Sequence, residues 1–302
     1  MSSSENDRVL VLTLSILFII LYGSGFVGAK LGFPFARPLV FLVLRFLIST
    51  ILLLLIAFFT KAAWPKSCKQ VGHIAVSGVF LVCIFSIGTW ISMDMGVPPA
   101  ISALIIALQP LAVAVASHFI LKRYVSKMQW IGFILGLIGV ALVVGEKASF
   151  NSTYLVGVIM SFIGLLGLTV GNLYQKHFCS HMNIFTGGVI QSVVSGTICF
   201  ILAYFFEPFK VQWTGQFIFA LLWMCMIVSL GAISFLYILL RKGESHKVAS
   251  IFYLVPAVTA IISYFVFKTT LDFYEIMGML VVMIGVGMVN IKFKKHYQMK
   301  EV

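Results

Sequence analysis

The stretch Ala107-Leu108-Gln109-Pro110 lies in the middle of an apolar run that covers residues 100–121. A proline inside a helix has no backbone N–H to donate and clashes with the preceding turn, so it breaks or kinks the helix. At membrane depth such a break is tolerated only where it is buried in protein or faces a water-filled cavity. The same event recurs 146 residues later, at Leu254-Val255-Pro256. Two helices broken at Pro110 and Pro256, one in each half of the chain, predict a transport pathway between two repeats.

The composition excludes a water-soluble globule. Of the 302 residues, 61% are hydrophobic and only 10% are charged. A membrane-spanning helix needs roughly 20 apolar residues. The sequence therefore predicts an all-α integral membrane protein with ten transmembrane helices. They are expected at 9–29, 39–60, 74–93, 100–121, 128–145, 154–175, 184–206, 217–240, 248–267 and 273–291.

The charge distribution predicts the orientation of these helices. The net charge is +12, but most of the 21 basic residues fall on one side of the predicted membrane, together with both termini. Cytoplasmic loops carry an excess of Lys and Arg, so both termini are expected in the cytoplasm. The basic residues are then explained by topology, and we expect membrane lipid rather than nucleic acid as the surrounding partner.

A duplication is visible when the sequence is shifted by 146 residues. Matched pairs include Gly25 with Gly171, Lys30 with Lys176, Pro110 with Pro256 and Lys122 with Lys268. Such a repeat divides the chain into a first unit at 1–146 and a second unit at 147–302. Because each unit holds five spans, an odd number, the second must cross the membrane upside down relative to the first. An inverted repeat of this kind places its binding site near the midplane, between the two units.

Particular residues resemble a known family. The first span contains Tyr22-Gly23-Ser24-Gly25-Phe26-Val27-Gly28-Ala29-Lys30-Leu31-Gly32, and the second contains Leu44-Arg45-Phe46. The Gln109-Pro110 break is followed by Gly132 and by Gly139-Val140-Ala141-Leu142. These elements resemble EamA-type members of the drug/metabolite transporter superfamily. The resemblance implies ten helices in two inverted repeats, a bacterial inner-membrane location and export of small metabolites.

The sequence departs from this family at one position in each unit. The resemblance implies a glutamate just after the fourth and ninth helices, where this chain has Arg123 and Thr269.

Arg45 is the first candidate for a substrate-binding residue. With the second helix beginning near Pro38, Arg45 lies about 10 Å inward at about 1.5 Å per residue. A charged residue at that depth normally faces the bundle interior or water. Its guanidinium could bind a carboxylate of the substrate, or it could be a structural arginine that reaches outward or bonds free carbonyls. Ser49 lies one turn further along the same helical face, and Gln191 is the equivalent of Arg45 in the second unit.

Further cavity candidates are polar or aromatic side chains within the spans: Tyr22, Trp90, Gln109, Asn172, Tyr237 and Tyr253. Aromatic residues near helix ends also form interfacial belts. The amides of Gln109 and Asn172 could equally hydrogen-bond a neighbouring helix, since an unsatisfied amide in a membrane is costly.

Glycines recur in the fifth and tenth spans. They are Gly132, Gly136 and Gly139 in the fifth, and Gly278, Gly285 and Gly287 in the tenth. Small residues let helix backbones approach closely, so we expect these two helices to pack together.

No metal, cofactor or catalytic group is expected. The five cysteines have no paired spacing, and His177 and His181 have no third ligand nearby. All nine acidic residues lie at span ends or in loops, so a proton relay through a buried carboxylate has no place in the spans.

The resulting hypothesis is an alternating-access carrier, acting as a monomer or homodimer, whose cavity is bounded by the broken fourth and ninth helices. It would export small metabolites, with amino acids or their derivatives as the favoured substrate. An exchanger or facilitator for another small anionic or amphipathic metabolite is the main alternative. A membrane-embedded enzyme would need a catalytic constellation that the spans lack. A lipid-handling protein would have no accessible polar cavity.

Overall fold

The computed structural model describes residues 2–122, 125–150, 152–232 and 254–290. The expectations placed on Arg123, Tyr237 and Tyr253 fall outside these residues. The helical spans are α1 (Ser2–Gly32), α2 (Pro38–Phe59), α3 (Cys68–Asp94), α4 (in two pieces, Pro99–Ala107 and Gln109–Leu121), α5 (Lys127–Phe150), α6 (Ser152–Phe178), α7 (Ile184–Phe206), α8 (Gly215–Leu222 continued by Trp223–Ala232), α9 (Val255–Phe267) and α10 (Phe273–Asn290).

The ten predicted spans are confirmed within the described residues. Six of them are long and apolar enough to cross a bilayer, and the described parts of the other four are shorter apolar helices. The second helix begins at Pro38, as predicted, because a proline at the first helical position costs no intrahelical bond. The protein is an all-α integral membrane protein with two inverted five-helix repeats.

The predicted break in α4 is present. The first piece ends with Leu108 as its C-cap, which stays in the right-handed helical region with φ −69° and ψ −6°, and the second piece begins with Gln109-Pro110. Leu254 has similar angles, φ −83° and ψ −14°, just before Pro256. The chain before Leu254 lies outside the described residues, so the second break is described only from the α9 side.

The two repeats also share two unusual local features. Lys122 and Lys268, which are 146 residues apart, both end a helix in the left-handed conformation, with φ 50° and 55°. A π-helical segment interrupts α3 at Val79–Ile84, and another forms the second part of α8 at Trp223–Ala232. Shifting the first segment by 146 residues gives 225–230, which lies inside the second. π-helical segments are rare in proteins, and those that do occur often lie at functional sites.

Helix packing follows the duplication. Helix α2 packs along α7, α5 along α10, and the first piece of α4 crosses α9. Helix α1 packs against α8 and α9, and its equivalent α6 packs against α3 and α4. The contacts of α1 in one repeat therefore have the same partners, by equivalence, as the contacts of α6 in the other. A pseudo-two-fold axis between the repeats requires this correspondence.

The predicted glycine interface joins α5 and α10. A methyl group on Gly132 would collide with the Gly285 carbonyl, and one on Gly139 would collide with the Gly278 carbonyl. Gly136 is packed just as closely, but against Leu108 and Leu111 of the α4 break. The prediction was wrong for Gly287, where an added methyl group would meet open space.

The connections define two faces of the bundle. On one, which we call the Asp94 face, Arg37 pairs with Asp94 at 3.5 Å and Ala36 forms an isolated β-bridge with Val211. On the other, the His73 face, His73 Nδ1 lies 2.8 Å from the Tyr174 hydroxyl, and Thr186 donates to the Ala63 carbonyl. If each helix crosses the membrane once, the α1–α2, α3–α4 and α7–α8 connections must lie on one side, and these are the connections that meet at the Asp94 face.

Candidate functional site

A cavity of about 300 Å³ lies between the two repeats. Its described walls come from α1, α2 and α3 of the first repeat and from α6, α7 and α8 of the second. This size is at the low end of the range for small-molecule pockets. Both π-helical segments contribute to the wall, through Leu81 and Val82 on one side and Met224, Val228 and Ser229 on the other.

Five of the predicted candidates meet at this cavity: Tyr22, Arg45, Ser49, Trp90 and Gln191. They come from four different helices, so the arrangement depends on tertiary packing. Arg45 and Leu53 both line the cavity and are eight residues apart on α2. At about 1.5 Å per residue, the cavity is therefore about 12 Å long in the direction of α2.

Arg45 supplies the positive charge of the described cavity wall. Its Nη2 donates to the Ser229 hydroxyl at 3.3 Å. The guanidinium carbon lies 5.5 Å from the Trp90 ring centre and 5.7 Å from the Phe46 ring centre, within range for cation–π attraction. Its Nε is buried and has no hydrogen-bond partner among the described residues. No carboxylate of the described residues pairs with it, so the guanidinium retains capacity to bind an anion.

Ser229 is a cavity residue that the sequence analysis missed. Its hydroxyl accepts from Arg45 and donates to the Met224 carbonyl, five residues earlier, at 2.9 Å. The π-helical segment thus places Ser229 opposite Arg45. The available signal was a single hydroxyl in the middle of the eighth apolar span.

Gln191 also lines the cavity, but its amide hydrogens are used within the protein. Its Nε2 donates to the Ser77 hydroxyl at 2.9 Å and to Gln175 Oε1 at 2.7 Å. The Gly78 backbone packs so closely on Gln191 that no side chain would fit at position 78. Gln191 therefore ties α7 to α3 and α6.

Two other candidates do not reach the central cavity. The Asn172 amide donates to the Leu168 carbonyl of its own helix at 2.8 Å. Gln109 and Pro110 border a separate space of about 10 Å³, which has room for about one water molecule. Tyr22 and Leu168 line both spaces and stand between them.

The expectation that the broken helices bound the main cavity is therefore not met. Among the described residues, neither α4 nor α9 contributes to its wall. At the α4 break Leu108 is buried and Gln109 and Pro110 are half-buried, and the first piece of α4 packs against α9, α1 and α6. Burial in protein is the other way in which a membrane helix tolerates a break.

An aromatic cluster separates the cavity from the Asp94 face. Trp90 lies 4.8 Å from Phe41 and 5.7 Å from Phe33 between ring centres, and Phe41 lies 5.1 Å from Phe217. Phe41, Trp90 and Phe217 are buried.

The described residues contain no group of three or more His, Cys, Asp or Glu side chains that could hold a metal ion. The five cysteines are free thiols; Cys68 is exposed and the other four are buried.

Comparisons with known proteins agree with this architecture. The model of the EamA-like transporter family matches residues 9–145 and again residues 155–291, so the second match begins 146 residues after the first. The "uncharacterized transporter YvbV" of Bacillus subtilis is 26% identical over 91% of this chain and 90% of its own length. A "probable amino-acid metabolite efflux pump" of Salmonella typhimurium is 21% identical over 90% and 92%.

One solved crystal structure superposes with a TM-score of 0.66 at 14% sequence identity, over 93% of this chain and 97% of the other. That likeness concerns the fold alone. The two family matches, one to each repeat, together cover most of the chain. The protein is a multi-pass membrane transporter that belongs to the EamA-like transporter family.

Proposed function

We propose that this protein is a secondary transporter of the bacterial inner membrane that exports small metabolites by alternating access. Amino acids or amino-acid derivatives are the favoured substrate. The observation that carries the proposal is the position of Arg45, a cation that no carboxylate of the described wall neutralises, in a cavity between two inverted repeats. The printed name of the Salmonella relative supports efflux as the direction.

The proposal places the Asp94 face toward the periplasm and both termini in the cytoplasm. The excess of basic residues on the opposite side supports this orientation. The described state, with its aromatic cluster on the Asp94 face, then corresponds to a carrier closed to the periplasm. Export requires the rings of Trp90, Phe41 and Phe217 to separate while the cavity closes at its other end.

Flux into liposomes tests the activity. Purified protein should give saturable, protein-dependent movement of an amino acid or one of its derivatives. Arg45→Ala should abolish that flux without changing the elution profile of the purified protein. Arg37→Ala is the matched control, because Arg37 also loses a positive charge but lies on the Asp94 face in an exposed ion pair of small energetic value. Flux of wild-type size in Arg45→Ala would remove Arg45 from the site.

A native cysteine tests the orientation. Cys68 lies at the start of α3 on the His73 face and is exposed, whereas the other four cysteines are buried. A membrane-impermeant maleimide should label spheroplasts only after permeabilisation, and Cys68→Ser should remove the signal. Labelling of Cys68 in intact spheroplasts would overturn the proposed orientation.

An exchanger or facilitator is the second candidate. It is favoured by the positions that the sequence predicts for the acidic residues, at span ends or in loops. A proton-coupled exporter should respond to an imposed pH gradient, whereas an exchanger should respond to substrate on the opposite side of the membrane.

A further inference from the structure

We infer that the central cavity selects organic monoanions, with a carboxylate at one end and an apolar body, over zwitterionic amino acids. The inference rests on the proposed transport function and narrows its substrate to acids whose amino group is absent or masked. The central cavity is the set of walls described above, with Arg45 toward the Asp94 face and Leu53 toward the His73 face.

The positive end of the cavity is built for one carboxylate. Arg45 presents a planar fork of donors, of which one goes to Ser229 and the buried Nε is unused among the described residues. A guanidinium matches a carboxylate bidentately. The aromatic faces of Trp90 and Phe46 lie beside it and hold its position in the free protein. A substrate carboxylate would neutralise a guanidinium charge that no carboxylate of the described cavity wall pairs with.

Among the described residues, the cavity wall offers no counter-ion for an ammonium group. The described cavity wall contains no Asp or Glu. In the stretch outside the described residues, 233–253, the sequence has a single acid, Glu244, which is flanked in sequence by Arg241, Lys242 and Lys247. An ammonium held next to a carboxylate on Arg45 would face a like charge without compensation, which is unfavourable in a partly buried site.

The rest of the wall is suited to an apolar body. From Arg45 toward Leu53 it is lined by aromatic and aliphatic side chains such as Phe18, Phe85, Leu168 and Val228. The hydroxyls in this wall, among them Ser86 and Thr89, can accept single hydrogen bonds but carry no charge. The cavity length of about 12 Å along α2 accommodates a carboxylate followed by one ring.

Four probes with a common phenyl ring isolate the charge. They are 3-phenylpropionate and N-acetylphenylalanine (monoanions), phenylalanine (a zwitterion) and phenethylamine (a cation). Titration calorimetry on the full-length protein in detergent should give Kd values for both monoanions at least roughly tenfold below that for phenylalanine, with no binding of phenethylamine. Arg45→Gln should remove this preference, and Arg37→Gln, which removes an exposed charge on the Asp94 face, should retain it.

Three results would overturn the inference: phenylalanine binding as tightly as the monoanions, the preference persisting in Arg45→Gln, or none of the four probes binding to the wild type. Flux measurements keep this outcome separate from the proposed function. Equal transport of phenylalanine and N-acetylphenylalanine would overturn the inference and leave the transporter proposal standing. Tight binding of the monoanions without flux of any probe would support the inference and contradict the transporter proposal.

Discussion

The helix pairs α5–α10 and α2–α7 both lie on the pseudo-two-fold axis, yet they treat the duplication differently. In α5–α10, Gly132 and Gly139 contact Gly285 and Gly278, and the two repeats supply equivalent residues to equivalent contacts. In α2–α7, the equivalent positions hold Arg45 and Gln191, one with an unused donor and the other with both amide hydrogens engaged. Symmetry is kept where backbones must approach closely and lost where a ligand would bind.

The helix ends at the start of α2 and α7 show the same divergence. Asn183 caps α7 by accepting from the Phe185 and Thr186 amides. The equivalent residue before α2 is Arg37, which cannot accept. Glu207, from the other repeat, accepts instead from the Leu39 and Val40 amides at 2.9 and 3.1 Å. One half thus completes a structural element of the other.

The largest expected effect comes from breaking the symmetric pair. Gly139→Ala places a methyl group against the Gly278 carbonyl and Val282, and overpacking of this kind costs about 1–3 kcal/mol. We expect a lower thermal unfolding temperature and less monodisperse protein on size exclusion. Gly287→Ala is the matched control in open space and should behave as the wild type. Equal behaviour of the two variants would mean that the α5–α10 contact is looser than described.

The second prediction sharpens the contrast between Arg45 and Gln191. Gln191→Leu leaves Gln175 Oε1 without its donor and removes the link to Ser77, so the free energy of unfolding should fall by about 1–3 kcal/mol. Binding of 3-phenylpropionate should weaken less than in Arg45→Gln. Thermal unfolding and calorimetry on both variants check this. A Gln191→Leu protein of normal stability that no longer binds the anion would contradict the structural role of this glutamine.

A smaller effect is expected at Ser229, whose equivalent in the first repeat is Cys83. Ser229→Ala removes a neutral acceptor from Arg45, worth about 0.5–1.5 kcal/mol, so anion affinity should fall about two- to twelvefold. Ser229→Cys, which installs the residue of the other repeat, is the conservative comparison. Unchanged affinity in the alanine variant would show that Trp90 and Phe46 are sufficient to position the guanidinium.

The smallest effect concerns the pH dependence of the Glu207 cap. Burial raises the pKa of the Glu207 carboxyl, outweighing the Leu39 and Val40 amides and Arg37, which lower it. A carboxyl whose pKa is raised in the folded state binds its proton more tightly there. Its contribution to stability is therefore full below its ordinary pKa and is lost as the pH rises through the raised value. The unfolding temperature of Glu207→Gln, measured relative to that of the wild type, should therefore rise as the pH increases. A relative rise on acidification would instead mean that the pKa of Glu207 is lowered in the folded protein.

Much of the candidate site follows from local sequence, with specific exceptions. The start of α2 at Pro38 and the interruption of α4 just before Pro110 are each set by a few consecutive residues and are predicted correctly. Asn172 was placed among the candidates, but its amide bonds its own helix, a choice that polarity alone does not reveal. Ser229 was missed because its orientation depends on the π-helical segment that contains it.

By itself, the sequence determined the class of protein, the ten spans and the inverted duplication. The length of each apolar run and the position of each proline can be read from consecutive residues. The duplication can be read from the matches at a spacing of 146 residues. Tertiary structure decided which polar groups share a cavity, because that depends on the rotation of each helix about its axis and on its neighbours. In the folded protein, the described α4 residues pack outside the cavity wall in which the sequence had placed them. Arg45 keeps a donor without a partner among the described residues, whereas the amide of Gln191 is hydrogen-bonded.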